Sequence, residues 1–135
     1  MKKGPILKIV LLLAAGVGMG FAGENKFQAS LSGKDTKASG MASFELKDGA
    51  LEYDLAVKDI KDITGSHIHT GKPGMEGPPV VNLPVGKGKL TDKDFMGPMK
   101  GKTVADLAAE IKAGNTYVNV HTKTHPGGEI RGQIK

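Results

Sequence analysis

Tyr117-Val118-Asn119-Val120-His121-Thr122-Lys123-Thr124-His125-Pro126-Gly127-Gly128-Glu129-Ile130-Arg131-Gly132-Gln133-Ile134 consists of two short alternating runs around a turn. In the first run Val118 and Val120 point one way, and Tyr117, Asn119 and His121 the other. In the second, Ile130, Gly132 and Ile134 share a face, with Glu129, Arg131 and Gln133 opposite. Successive side chains of a strand project to opposite sides of a sheet, so each run has one apolar and one polar face. Thr124 to Gly128 supplies the turn, because Pro fixes φ and Gly permits positive φ. The stretch reads as a β-hairpin with His121, His125, Glu129 and Arg131 gathered near its tip.

Working outward, the same alternation recurs. Phe27 to Leu31, Ala42 to Leu46, Leu51 to Val57, Ile63 to His69 and Val80 to Leu83 each read as a strand. Lys47-Asp48-Gly49 joins two of them, and Asp-Gly suits the positive φ values of a two-residue hairpin turn. Gly71 to Pro79 carries three Gly and three Pro and reads as a rigid loop. Pro84 to Leu90 reads as a glycine-rich connection. Thr91 to Met96 fits a helical turn or a short extended piece, broken by Gly97-Pro98. One helix is expected from Thr103 to Lys112: Thr103 caps it, Asp106 completes a capping box, and Gly114 ends it. Val104, Leu107, Ala108 and Ile111 form its apolar stripe. Six or seven short strands, one helix and short connections predict an antiparallel β-sandwich or small barrel.

The first residues fall outside that pattern. Met1-Lys2-Lys3 and Lys8 precede an apolar run, Ile9 to Ala15, and small residues follow to Gly20-Phe21-Ala22-Gly23. This order predicts a signal peptide over 1–22, export to the periplasm or beyond, and a single domain over 23–135. Retention as an N-terminal anchor is the alternative. The chain carries 19 basic and 14 acidic residues, net +5. Loss of Lys2, Lys3 and Lys8 leaves 16 basic residues and a net charge of +2. With scattered lysines, two Tyr and no Trp, a nucleic-acid surface is not expected. The absence of Cys excludes disulfides, thiolate metal sites, a Cys nucleophile and lipobox acylation. A phosphate loop is not expected either, because Gly71, Gly74 and Gly77 do not open a helix after a strand.

All four histidines fall in two clusters, His67 with His69 and His121 with His125. In His67-Ile68-His69 both imidazoles share one strand face while Ile68 points inward. An i, i+2 pair of this kind can reach one metal ion. Imidazole without thiolate suits Zn(II), Cu(II) or Ni(II), and export favours copper or zinc. The expected ligands are His67, His69 and His121, with His125 fourth and Glu129 as an outer carboxylate or its replacement. Tyr117 and Asn119 read as orienting groups. Arg131 is expected to pair with Glu129 across the same face, the alternative being a guide for a small anion. Met75, Met96 and Met99 offer thioethers suited to Cu(I), though isolated Met residues more often pack. Ser66 and His67 are strand neighbours on opposite faces, so they form no nucleophile–base pair.

Ser66-His67-Ile68-His69-Thr70-Gly71, Gly77-Pro78-Pro79-Val80-Val81, Tyr117 to Thr122 and His125 to Ile134 together resemble the CHRD domain, first described in chordin. The resemblance runs from about Phe27 to Ile134. It implies an immunoglobulin-like or superoxide-dismutase-like β-sandwich in an exported protein, and His67, His69 and His121 belong to its shared motif. The pattern departs at His125, where many members carry Asn. Chordin binds growth factors, so a module that binds cell-envelope or extracellular proteins without metal is a second expectation. The His-x-His strand, late His and Arg are also similar to copper–zinc superoxide dismutase. The chain lacks that family's Cys pair and separate zinc loop, and a redox enzyme is the least favoured reading.

Overall fold

The computed structural model describes residues 25–135. The expected signal peptide lies outside the described residues. Eight strands and one helix follow in order: β1 Lys26–Leu31, β2 Ser39–Lys47, β3 Ala50–Lys58, β4 Ile63–Thr70, β5 Pro79–Asn82, β6 Gly86–Leu90, α1 Val104–Lys112, β7 Thr116–Thr122 and β8 Ile130–Gln133. They form two four-stranded antiparallel sheets, β1-β2-β3-β6 and β5-β4-β7-β8. The expected all-β sandwich with one helix is therefore what this chain builds. Among the described residues, no helix is long and apolar enough to cross a membrane.

Local chemistry accounts for most of the elements. Lys47 pairs with Ala50, leaving Asp48 and Gly49 as a two-residue turn with φ of 53° and 77°. Both values are positive, as the tight turn matching strand twist requires. The inner positions of β1 to β3 are Phe27, Ala29, Leu31, Ala42, Phe44, Leu51, Tyr53 and Leu55, all buried. Facing them from the other sheet are Ile68, Val80, Val81, Val118, Val120 and Ile130. Fully burying one such aliphatic side chain is worth roughly 1.5–3 kcal/mol, so this interleaved layer dominates stability. Thr103 accepts from the Asp106 N–H, and the Asp106 carboxylate accepts from the Thr103 N–H, closing the expected capping box. Val104, Leu107 and Ile111 then join the core.

The glycine-rich connection expected over Pro84 to Leu90 is instead largely a strand, β6. Tyr53 lies opposite Gly88 in the register. A Cβ on Gly88 would come within 2.6 Å of the Tyr53 ring. The ring covers the space where a strand side chain would stand, and Tyr53 Oη donates to the Pro84 carbonyl at 3.1 Å. The absent side chain thus accommodates an aromatic neighbour, in a segment whose glycines resemble a loop. Over Thr91 to Met96 both expected options occur in succession. Asp92–Asp94 is a 3-10 turn, and Phe95 then bridges to Val81. Gly97 opens a second 3-10 turn, Gly97–Met99.

One side of the sandwich is sealed. Gln28 and Lys135 exchange backbone hydrogen bonds of 2.9 Å, and Ser32 and Arg131 exchange bonds of 3.1 and 2.9 Å. These tie β1 to β8 across the two sheets. Between them Gly132 passes so close that a Cβ would lie 2.1 Å from the Ser30 carbonyl oxygen. Sealing this edge fixes β8, and with it the polar face that β7 and β8 share.

Candidate metal centre

β4 and β7 are the central strands of the second sheet, and their register sets the site. His69 lies opposite Tyr117, His67 opposite Asn119, and Gly65 opposite His121. Ser66 and Ile68 turn to the other side, where Ile68 enters the core and Ser66 Oγ donates to the Leu83 carbonyl at 2.6 Å. One face of two neighbouring strands therefore carries three imidazoles. Their ring centroids are 5.6 Å apart for His67–His69, 5.2 Å for His67–His121 and 5.8 Å for His69–His121. One nitrogen of each ring lies within 4.8 Å of the other two, a grouping that can hold a metal ion. Imidazole–metal bonds are about 2.0–2.1 Å, so nitrogens sharing one ion stand at most about 4.2 Å apart, and the rings need only a small inward shift from the 4.8 Å bound to share one. Gly65 makes room for the group: a Cβ there would stand 3.3 Å from His67 Cε1.

The hydrogen bonds around the rings decide which nitrogens are free. His69 Nδ1 is 2.9 Å from the Gly77 carbonyl, and His121 Nδ1 is 2.9 Å from the Pro126 carbonyl. A carbonyl only accepts, so both Nδ1 atoms carry the proton and both Nε2 atoms carry a lone pair. Those two Nε2 atoms and His67 Nδ1 are buried without any hydrogen-bond partner. Only four buried side-chain atoms among the described residues lack a partner, and three of them belong to this trio. A buried polar atom left unpaired costs about 1–3 kcal/mol. Three buried imidazole nitrogens facing no donor belong to a group that can hold a cation.

The backbone carbonyls come from two loops folded over this face. In loop 71–78, the Tyr117 hydroxyl accepts the Gly77 N–H at 3.1 Å and lies 3.4 Å from the Gly77 carbonyl. Tyr117 also stacks on His69, with centroids 4.9 Å apart and planes 14° from parallel. Gln133 Nε2 donates to the Gly71 carbonyl at 2.8 Å, and Arg131 Nη2 donates to the Lys72 carbonyl at 3.1 Å. The second loop, 123–129, presents Pro126. Asn119 Nδ2 steadies its base by donating to the Ile130 carbonyl at 3.0 Å.

Burial and charge favour the neutral form of His67 and His69. Burial is the main cause that lowers the His67 pKa, followed by the nearby His121 and His69 rings. Burial likewise dominates the lowering of His69. The Gly77 hydrogen bond and Glu76 oppose it, and His121 and Arg131 add to it. Both groups titrate below the 6.5 of a free imidazole, so the unfolded chain binds more protons than the folded one in this range. The contribution of these two groups to the stability of the metal-free protein is therefore complete above about 6.5 and is lost as pH falls below it towards the lowered folded values. A lower urea midpoint at pH 5.5 than at pH 7.5 is expected, with the difference reduced in a His67→Ala/His69→Ala chain. Equal pH dependence in both proteins would refute this.

His125 is placed differently from the other three. Its Nδ1 lies 3.3 Å from Glu129 Oε1 and 3.1 Å from Thr124 Oγ1, and it is not part of the close trio. Glu129 also receives hydrogen bonds from Thr36 and Thr122, and these are the leading causes that lower its pKa. The expected Glu129–Arg131 pair does not form. Glu129 is taken by the two hydroxyls and His125, while the Arg131 guanidinium lies 3.5 Å above the Tyr117 ring, a cation–π contact. Of the three candidate methionines, Met99 is in the core, Met96 is half-buried and Met75 is exposed.

A cavity of about 430 Å³ opens against His69 and His121. Its wall includes Asp35, Glu76, His125, Glu129 and Arg131.

No curated protein matches this chain. No solved structure matches it either. The sequence profile of the CHRD domain does, over residues 24–134. That match takes in every strand, both loops over the imidazoles and the imidazoles themselves, and the chain belongs to the CHRD domain family.

Proposed function

We propose that this is an exported metal-binding protein that holds one transition-metal ion through His67, His69 and His121. Copper is the first choice and zinc the second. The observation that carries the reading is the set of three buried, unpartnered imidazole nitrogens within one ion's reach. The outer N–H groups of His69 and His121 rest on the Gly77 and Pro126 carbonyls. Metal-binding histidines depend on such second partners to fix tautomer and ring orientation. A set of imidazoles without thiolate suits the later divalent metals, among which Cu(II) binds most strongly. Export rests on the order of basic, apolar and small residues over 1–22.

Isothermal titration of the chelator-treated protein with Cu(II), and separately with Zn(II), tests the reading. Saturation at about one ion per chain is expected, with copper tighter than zinc by the usual divalent-ion order. No saturable binding of either ion would end it. Export is tested separately, by fractionating cells that express the full chain. The copper preference has its own check in elemental analysis of protein taken from its native compartment.

A further inference from the structure

The cavity beside the imidazoles is not accounted for by holding an ion. The three converging nitrogens are shielded from solvent, so an ion needs a route to them. We infer that this cavity is the route by which an aqueous cation reaches the imidazoles. Asp35 and Glu76 receive it at the mouth, and His125 passes it inward. The inference rests on the metal-binding reading above.

The arrangement of donors supports this. Asp35 and Glu76 come from different loops, both are exposed, and both line the cavity. His69, 7 % exposed and with Nε2 unpartnered, lines it as well, together with the half-buried His121. His67 is not on the cavity wall. An incoming ion therefore meets carboxylate oxygens before imidazole nitrogens. Hydrated divalent ions exchange water readily for carboxylate, and the later transition metals then prefer nitrogen. Glu129 is a poor first contact, because Thr36, Thr122 and His125 already occupy its carboxylate. The Glu129 and Thr124 contacts both engage Nδ1 of His125, which leaves Nε2 for an ion. His125 lines the same cavity with a side chain 37 % exposed, so it is reachable from solvent where the trio's nitrogens are not. Lys34 and Arg131 on the same wall oppose a cation. Arg131 is held on Tyr117 and the Lys72 carbonyl.

A route differs from a ligand in what it changes. Groups along a path alter the rates of loading and release together and leave their ratio fixed. The full chain has two Tyr and no Trp, and Tyr117 stacks on His69, so quenching of tyrosine emission by Cu(II) reports arrival. Stopped-flow mixing with Cu(II) at low salt should show loading slowed by about 3-fold or more in Asp35→Asn/Glu76→Gln, in line with electrostatic steering. Release to a chelator should slow by the same factor, with Kd unchanged. His125→Ala should slow both rates while Kd again holds.

Wild-type loading rates in both variants would overturn the route while leaving the metal site intact. A weaker Kd with an unchanged loading rate would also overturn it, making those residues ligands. If the wild-type chain takes up no Cu(II), the metal site and the route fall together.

Discussion

His69→Ala is expected to abolish measurable Cu(II) and Zn(II) uptake while the sandwich still folds. His69 supplies one of three converging nitrogens, and it is the most buried of the three rings. Removing an outer partner of a metal ligand already costs about 10- to 100-fold in affinity. Removing the ligand itself, and leaving two imidazoles, should exceed that range. Two readouts make the result decisive. The first is titration, where the saturable step should disappear. The second is stability: an ion that binds only the folded state adds about 2.7 kcal/mol when present at 100 times its Kd. Wild type should show that gain with Cu(II), and His69→Ala should show none. The variant also loses the Tyr117 stack and the Gly77 contact, so its metal-free urea midpoint must be measured alongside. A variant that unfolds would shift the test to His67→Ala. The His67 ring makes no hydrogen bond to the loops and lines no wall of the cavity. Unchanged uptake by both folded variants would refute the trio as the site.

The parts of this molecule that were legible in its sequence are those where a side chain announces its own surroundings. Asp48-Gly49 between two alternating runs can hardly be anything but a hairpin turn, and the register Lys47↔Ala50 leaves those two residues as the loop. His67 and His69 had to share a face, and His121 had to lie opposite Val118 and Val120, because strand periodicity allows no other arrangement. Strand neighbourhood was not legible in the same way. That β4 pairs with β7 depends on the whole topology, and only this pairing brings the two histidine segments together. β6 was hidden because the signal for a strand is its side chains, and at Gly88 the neighbouring Tyr53 ring occupies their place. The outer partners of His69 and His121 left no trace either. They are backbone carbonyls of Gly77 and Pro126, which any residue type presents. Arg131 and Glu129 share a face as periodicity requires, yet each is held by other partners, some of them distant in the chain. Thr36, which holds Glu129, lies 93 residues away in the chain.

The second large effect is expected at Gly77→Ala, a position with no chemistry of its own. A Cβ on Gly77 would stand 1.7 Å from the Thr70 carbonyl oxygen and 2.9 Å from its carbon. These are backbone atoms at the end of β4, so no side-chain rotation relieves the overlap. The loop must lift, and three contacts lift with it: the Gly77 carbonyl that receives His69 Nδ1, and the contacts of the Gly77 N–H and of its carbonyl with the Tyr117 hydroxyl. The expected loss of stability is about 1–3 kcal/mol, typical of a displaced and partly buried hydrogen-bonded segment. The effect on metal affinity should be larger than fold-wide destabilisation explains. With the carbonyl gone, His69 no longer has its Nδ1 proton fixed, and the ring can present the wrong nitrogen to the ion. A loss of about 10- to 100-fold is expected, the range for an outer partner. Gly74→Ala in the same loop is the comparison, because space around Gly74 is open although its φ of +79° also strains a side chain. It should lose stability through that strain and keep its affinity. Equal affinity losses at Gly74 and Gly77 would mean that the loop acts only as a cover. A loss confined to Gly77 would establish its carbonyl as the group that orients His69.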